Sequence, residues 1–358
     1  MKRNYIIAGL VSLLVPTHGA LACDVCALYH VSAAKSPEQG TFYAGTGFQL
    51  NNLDDVRLDG DEVDSHGQKM TSSTLQLVTG YQVTKKFGLQ LNTPFIFRHY
   101  KRLPHSHSDE SHSDEEMHEM ADSSPENDNL ETGNEDGLGD MSAMLTLNAL
   151  NRRTADWFVA VKLLGGLKLP TGDTSRLKEE NADESSPLAE DHSMHDHSHM
   201  AHAEAVDESH TASIHGHDLA LGSGSFDFPL VLSAVAEYGP IVTGANLQYT
   251  FRTTGDSSYR YADDFIWRVS SGYRYFVAEQ DSVALHVVMN GEAKDKDEVR
   301  SQPVEDTGLT TLFLGPELEV IWGNLSAEVG LELPLVLANT GLQSVTSSRW
   351  RCGITYRF

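Results

Sequence analysis

The 358-residue chain carries 51 acidic against 26 basic side chains, a formal net charge of -25 at pH 7. No basic stripe is present to hold nucleic acid, and no apolar run is long enough for a membrane-spanning helix. The acid is concentrated between Asp109 and Asp136 and between Glu179 and Asp218, so the charge describes those two segments rather than the whole chain.

At the N-terminus, Lys2 and Arg3 precede an apolar run from Tyr5 to Val15, and Ala20-Leu21-Ala22 offers small residues for cleavage. This is the pattern of a secretory signal peptide over residues 1–22. Residues 23–40 then read as a short periplasmic segment with a CxxC pair, Cys23 and Cys26. An oxidising compartment favours a disulfide between them. Two other readings stay open. Ala20-Leu21-Ala22-Cys23 also fits a lipoprotein box, although Asp24 resembles an inner-membrane retention signal, and His30 could join the two thiols in a small metal site. Ala27 after Cys26 excludes haem attachment, which needs His there.

From residue 41 onward the chain reads as twelve strands, near 41–51, 71–84, 87–100, 138–150, 156–170, 224–238, 241–252, 264–277, 281–293, 309–322, 325–338 and 348–358. The connections alternate in length. Lys85-Lys86, Arg152-Arg153-Thr154, Gly239-Pro240, Glu279-Gln280 and Gly323-Asn324 are tight turns. Segments 52–70, 101–137, 171–223, 253–263, 294–308 and 339–347 are long loops. Short periplasmic turns facing long extracellular loops, with an even strand count, are the signature of an all-β transmembrane antiparallel barrel, here over 41–358 in the outer membrane of a Gram-negative cell.

The strand faces agree. Side chains alternate across a strand, so a barrel with lipid outside and water inside is apolar on one row and polar on the other. In the eleventh strand Ala327, Val329, Leu331, Leu333, Leu335 and Leu337 form the outward row, with Glu328 and Glu332 inward. In the last strand Trp350, Cys352, Ile354, Tyr356 and Phe358 face out and Arg349, Arg351 and Arg357 face in. A mid-strand Arg or Lys facing hydrocarbon costs roughly 2–4 kcal/mol. The same parity makes Lys162, Arg252, Arg268, Arg274, His286, Glu317, Glu319, Glu328, Glu332, Arg349, Arg351 and Arg357 the predicted lumen lining. Trp157 and Trp322 fall at periplasmic strand ends, and Trp267 and Trp350 at outer ends, as interfacial girdles. The terminal Phe358 resembles the signal read by the barrel-insertion machinery, which with outer-membrane lipid is the expected partner.

Three motifs carry a family resemblance: Gly137-Leu138-Gly139-Asp140, Leu167-Lys168-Leu169-Pro170-Thr171-Gly172-Asp173, and Leu221-Gly222-Ser223-Gly224-Ser225-Phe226-Asp227. Together they resemble the outer-membrane β-barrel channels named after the meta-pathway of phenol degradation. The resemblance covers the middle third of the chain and implies passage of aromatic compounds. The glycines and aspartates themselves read as strand ends and turns that shape the rim. His-rich insertions, absent from the pattern, interrupt it.

Those insertions hold His105, His107, His112 and His118 in the second long loop, and His192, His195, His197, His199, His202, His210, His215 and His217 in the third. Imidazole suits Zn, Cu and Ni, and Met117, Met120, Met194 and Met200 add softer donors. No spacing matches a closed structural site, so the expectation is several weak, exchangeable sites and no obligatory cofactor. The competing reading is a solvated polar loop. The expected function is a passive channel or transporter for metal ions or small solutes, whose His-rich loops capture transition metals. The alternatives are a channel for hydrophobic or aromatic compounds, or a structural barrel without transport. Enzyme activity is not expected. A lipid hydrolase of this architecture needs an adjacent Ser and His near the outer rim, and two residues beyond the outward His99 stands Lys101.

Overall fold

The computed structural model describes residues 39–103, 130–180, 212–278 and 280–358. The signal segment, the Cys23/Cys26 pair and all the predicted metal-ligating histidines except His215 and His217 lie outside these residues.

Twelve strands close one antiparallel barrel. They are β1 (Phe42–Leu58), β2 (Lys69–Tyr81), β3 (Phe87–Arg102), β4 (Ser142–Arg153), β5 (Trp157–Lys168) and β6 (Phe228–Tyr238), then β7 (Ile241–Phe251), β8 (Asp264–Phe276), β9 (Ser282–Lys294), β10 (Leu309–Trp322), β11 (Leu325–Asn339) and β12 (Leu342–Arg357). Each pairs with the next, and β12 pairs back onto β1 from Tyr43↔Arg357 to Leu58↔Leu342. Closure leaves no unpaired edge, the condition for a sheet to cross hydrocarbon. Burial is inverted relative to a soluble barrel. In β3, Phe87, Leu89, Leu91 and Phe97 are exposed on the outside while Gln90, Asn92 and Arg98 are buried within. Tight turns close one end. Gly239 and Gly323 open two-residue loops at φ +56° and +57°, the left-handed conformation that such hairpins require and glycine adopts without strain.

At the other end the strands outrun their expected limits. β1 continues to Leu58 rather than residue 51 and pairs with a short strand, Asp61–Val63. β12 starts at Leu342, so the expected loop 339–347 shrinks to the turn Thr340-Gly341. The expected loop 101–137 ends in a strand, Glu131–Leu138, which pairs with the outer part of β3 before Gly139–Met141 interrupts the ladder and β4 takes over. The sequence pattern missed these extensions because they carry rim polarity (Asp, Asn, Ser, Thr) and look like loop. With β12 lengthened, Trp350 sits mid-strand, opposite Leu331 and Leu50, and not at an outer interface as expected.

A bulge corrects the β11 face assignment. Leu312 pairs with Val336 but Phe313 pairs with Pro334, so Leu335 is an inserted residue. Val336 is exposed outside, and Leu337 pairs with the inward Thr311 instead of meeting lipid. The shift turns Asn339 inward, where its Nδ2 donates to the Arg57 and Gly341 carbonyls and its Oδ1 accepts from Gly60. Val336→Arg should therefore lower stability by about 1–2 kcal/mol, since cost falls from midplane toward interface. Leu337→Arg should be nearly neutral. Urea titration followed by heat-modifiable gel migration checks it, and equal effects would refute the bulge.

Candidate channel lumen

The three sequence motifs meet on the inner wall toward the loop-bearing end. Asp140 accepts five hydrogen bonds, from Lys168 Nζ (2.9 Å), Thr171 N (3.1 Å), Gly172 N (3.0 Å), and Ser223 N and Oγ (2.9 and 2.8 Å). Lys168 Nζ also reaches Asp227 at 2.7 Å, and Arg252 links Asp227 (3.0 Å) to Asp264 (2.6 Å). One buried polar chain thus ties β5 through β8 together. A Cβ on Gly222 would stand 2.7 Å from Asp140 Oδ1 and from the Gly172 Cα, which explains the paired glycines by close backbone approach.

Residues 212–221 fold into the loop-bearing mouth as a cap, a feature with no periodicity to reveal it. Its four-residue helix, Gly216–Leu219, is held from all round the barrel. Ser213 bonds Gln68 at the base of β2 and Ser344 of β12. Arg98 of β3 donates to the Ala220 carbonyl at 2.6 Å, and Tyr261 donates to the His217 carbonyl at 3.0 Å. Ile214 and Leu219 bury against Met70 and Tyr100. Ala220 packs with Leu177, Tyr259 and Tyr261. Two histidines complete the clasp: His215 Nε2 lies 2.7 Å from Asp306, and His217 Nδ1 lies 3.0 Å from Glu180.

These histidines were expected as exchangeable metal ligands in an exposed loop; the structure buries them in ion pairs instead. Among the described residues, no group of three or more His, Cys, Asp or Glu side chains is arranged to hold a metal ion. Burial alone would lower the His217 pKa, but Asp218, Glu180 and Asp306 outweigh it and push it up to about 10. His215 is raised against its burial by Asp306. Burial would raise Glu180, yet His217 beside it holds it below the usual carboxylate range, and His215 does the same, more strongly, for Asp306.

Below the cap the lumen is asymmetric. Its β8–β12 wall is charged. Arg268 bridges Glu317 and Glu332 across the interior, the latter at 3.0 Å, and Arg349 pairs with Glu292 while stacking over Phe313 at 4.3 Å. Arg274 joins Glu237 to Glu319, the latter at 2.6 Å, with His286 3.6 Å from Glu319. Arg351 lies 3.7 Å from Glu332. The opposite β1–β4 wall is neutral, with Tyr43, Gln90, Asn92 and Ser142 in a hydrogen-bonded ladder of 2.8–2.9 Å links. A cavity of about 50 Å³ separates the cap at His217 from the ion pairs at Arg349 and Glu292. A second, of about 70 Å³, runs between Gln49, Thr74 and Gln76 on the neutral wall and Arg268, Glu317 and Arg351 on the charged one.

The twelve predicted lumen residues all lie on the inward face. They do not form one lining. Arg252 belongs to the buried chain near the rim, nine others form or adjoin the ion-pair belt, and Lys162 and Arg357 face each other's charge nearer the turn-bearing end. The neutral wall was missed, because Gln, Asn, Ser and Thr carry no charge to mark a side.

No protein-family model and no curated protein matches the chain. Among solved structures it is similar to the COG4313 outer membrane channel from Pseudomonas putida F1, with a TM-score of 0.53 and 14% identity, covering 92% of this chain and 99% of that one. A FadL homologue from Pseudomonas aeruginosa (TM-score 0.33, 11% identity, 88% and 90% covered) and the NanC porin (0.35, 7%, 88% and 98%) are more distant. What is shared at these identities is the fold, a closed β-barrel of the outer-membrane type.

Proposed function

We propose that the protein is a passive outer-membrane channel, capped at its outer mouth, whose His-rich segments capture transition-metal ions. The observation that carries the channel reading is the water-accommodating polar interior: cavities bounded by a charged and a neutral wall run beneath a cap held by side-chain contacts. A structural barrel has no need of a polar passage closed by a separate cap. Passage of hydrophobic or aromatic compounds has less support, since guanidinium and carboxylate groups pair across the interior.

Metal capture rests on the sequence of the His-rich segments. Neutral imidazole is the ligand form, with an unperturbed pKa near 6.5, so Zn²⁺ binding should weaken steadily between about pH 7.5 and 5.5. Removing residues 183–210 should abolish most Zn²⁺ uptake in isothermal titration while the barrel and its cap stay folded. Unchanged uptake would separate the metal from the channel. Planar-bilayer recording with and without Zn²⁺ tests the channel itself: no conductance from the intact or the cap-deleted protein would leave only a structural barrel.

A further inference from the structure

We infer that the outer wall of the barrel carries a binding site for a phosphorylated glycolipid of the outer leaflet, centred on Lys69 and Lys101. The inference rests on the loop-bearing end facing outward, as in the channel reading above.

The two lysines are direct cross-strand partners of β2 and β3. Both lie on the outward row, whose β3 members run Phe87, Leu89, Leu91, Thr93, Phe95, Phe97, His99 and Lys101. Like charges directly opposite in a ladder repel. Among the described residues neither ammonium has an ion-pair partner to offset this. In a chain with 51 acidic side chains such a pair is conspicuous. The next strand places Thr132 opposite Lys101 and Asn134 opposite His99, where His99 Nδ1 and Asn134 Oδ1 are 2.6 Å apart. Asp136, the outward acid of that strand, stands opposite Phe97, four residues along from Lys101's level. On the β1 side Asp54 accepts from Ser347, and Asp54, Glu62 and Arg57 act on Asp55.

The height of the site selects the ligand. From Phe87 to Phe97 the outward row of β3 covers ten residue steps, about 34 Å along the strand, and a tilt near 40° brings that to roughly 25 Å of height, the thickness of the apolar band. His99 and Lys101 therefore emerge just above the outer limit of hydrocarbon. Phosphates of an outer-leaflet glycolipid stand at that level, with acyl chains reaching down over Phe97, Phe95 and Leu75. Paired ammonium groups with a hydrogen-bonding His/Asn neighbour answer the headgroup, and the exposed aromatic and aliphatic row answers the chains. A free phosphate would use only the first half of this arrangement.

Diphosphoryl lipid A titrated into the detergent-solubilised full chain should raise its melting temperature, and inorganic phosphate at the same concentration should not. In K69Q/K101Q the affinity for lipid A should fall at least tenfold. In K85Q/K86Q, which alters the lysine pair at the opposite end, it should be unchanged. Heat-modifiable migration confirms that each variant is folded. Lipid A binding equal in K69Q/K101Q and the unmodified protein, or equal losses in both double variants, would overturn the site, and an equal response to inorganic phosphate would overturn the lipid as its ligand. Bilayer conductance of the same preparations reports on the channel reading separately.

Discussion

Replacing residues 213–220 by a Gly-Ser segment of equal length should raise single-channel conductance by roughly tenfold or more, because a twelve-stranded barrel is wider than those that side chains alone fill. The cap crosses the mouth and reaches β2, β3, β12 and both loops that carry Tyr261 and Asp306. Its hold also depends on pH, through opposite signs. His217 has a folded pKa pushed up to about 10 from 6.5, so its contribution is complete below 6.5 and fades as pH rises toward 10. Glu180 and Asp306 are depressed from 4.5 and 3.8, so theirs is complete above those values and is lost as pH falls through the depressed ones. The clasp is therefore tightest between 4.5 and 6.5, and conductance of the unmodified channel should climb from pH 6.5 to 10. His217→Gln removes the cation but keeps a hydrogen-bonding side chain. It should conduct more at pH 6 and lose most of the climb. An unmodified channel flat over that range, or a glutamine variant with the full climb, would remove the histidine clasp from the account.

Trp350, Ile354 and Tyr356 outside with Arg349 and Arg351 inside were legible from alternation alone, because hydrocarbon on one face and water on the other penalise any slip. That penalty disappears beyond the apolar band. Asn52, Asp54, Ser344 and Ser348 are strand residues or their immediate neighbours at a level where both faces are wet, and nothing in their types distinguishes them from loop. Leu337 was read as one more lipid-facing leucine, since the bulge at Leu335 leaves composition unchanged and alters only parity. The cap was hidden for a different reason. Ile214, His215, His217 and Leu219 follow the His-rich run, and only tertiary partners distant in sequence (Arg98, Glu180, Tyr261, Asp306) separate them from it. The Asp140 motif was visible as spacing, but its role as a shared acceptor for β5 and the Ser223 segment required the fold.

Glu332→Gln should shift ion selectivity toward anions and lower stability together. Glu332 is 2% exposed and is the carboxylate that three guanidiniums share: Arg268 at 3.0 Å, Arg351 at 3.7 Å and Arg349 at 4.0 Å. Arg268 and Arg349 keep Glu317 and Glu292 as second partners. Arg351 has no other ion pair among the described residues and would turn to the aqueous passage lined by Gln49, Thr74 and Gln76. Breaking a fully buried pair costs roughly 3–5 kcal/mol, and water in the lumen should reduce this to about 1–3 kcal/mol. The reversal potential in a salt gradient should move toward the chloride potential, by more at low ionic strength, where the uncompensated charge is less screened. Adding Arg351→Gln to the first change removes the surplus cation and should return selectivity most of the way. A merely structural role for Glu332 makes the opposite forecast, in which the double variant is no more cation-tolerant than the single. Selectivity that stays shifted after Arg351 is neutralised would show that the belt does not set the charge of the passage.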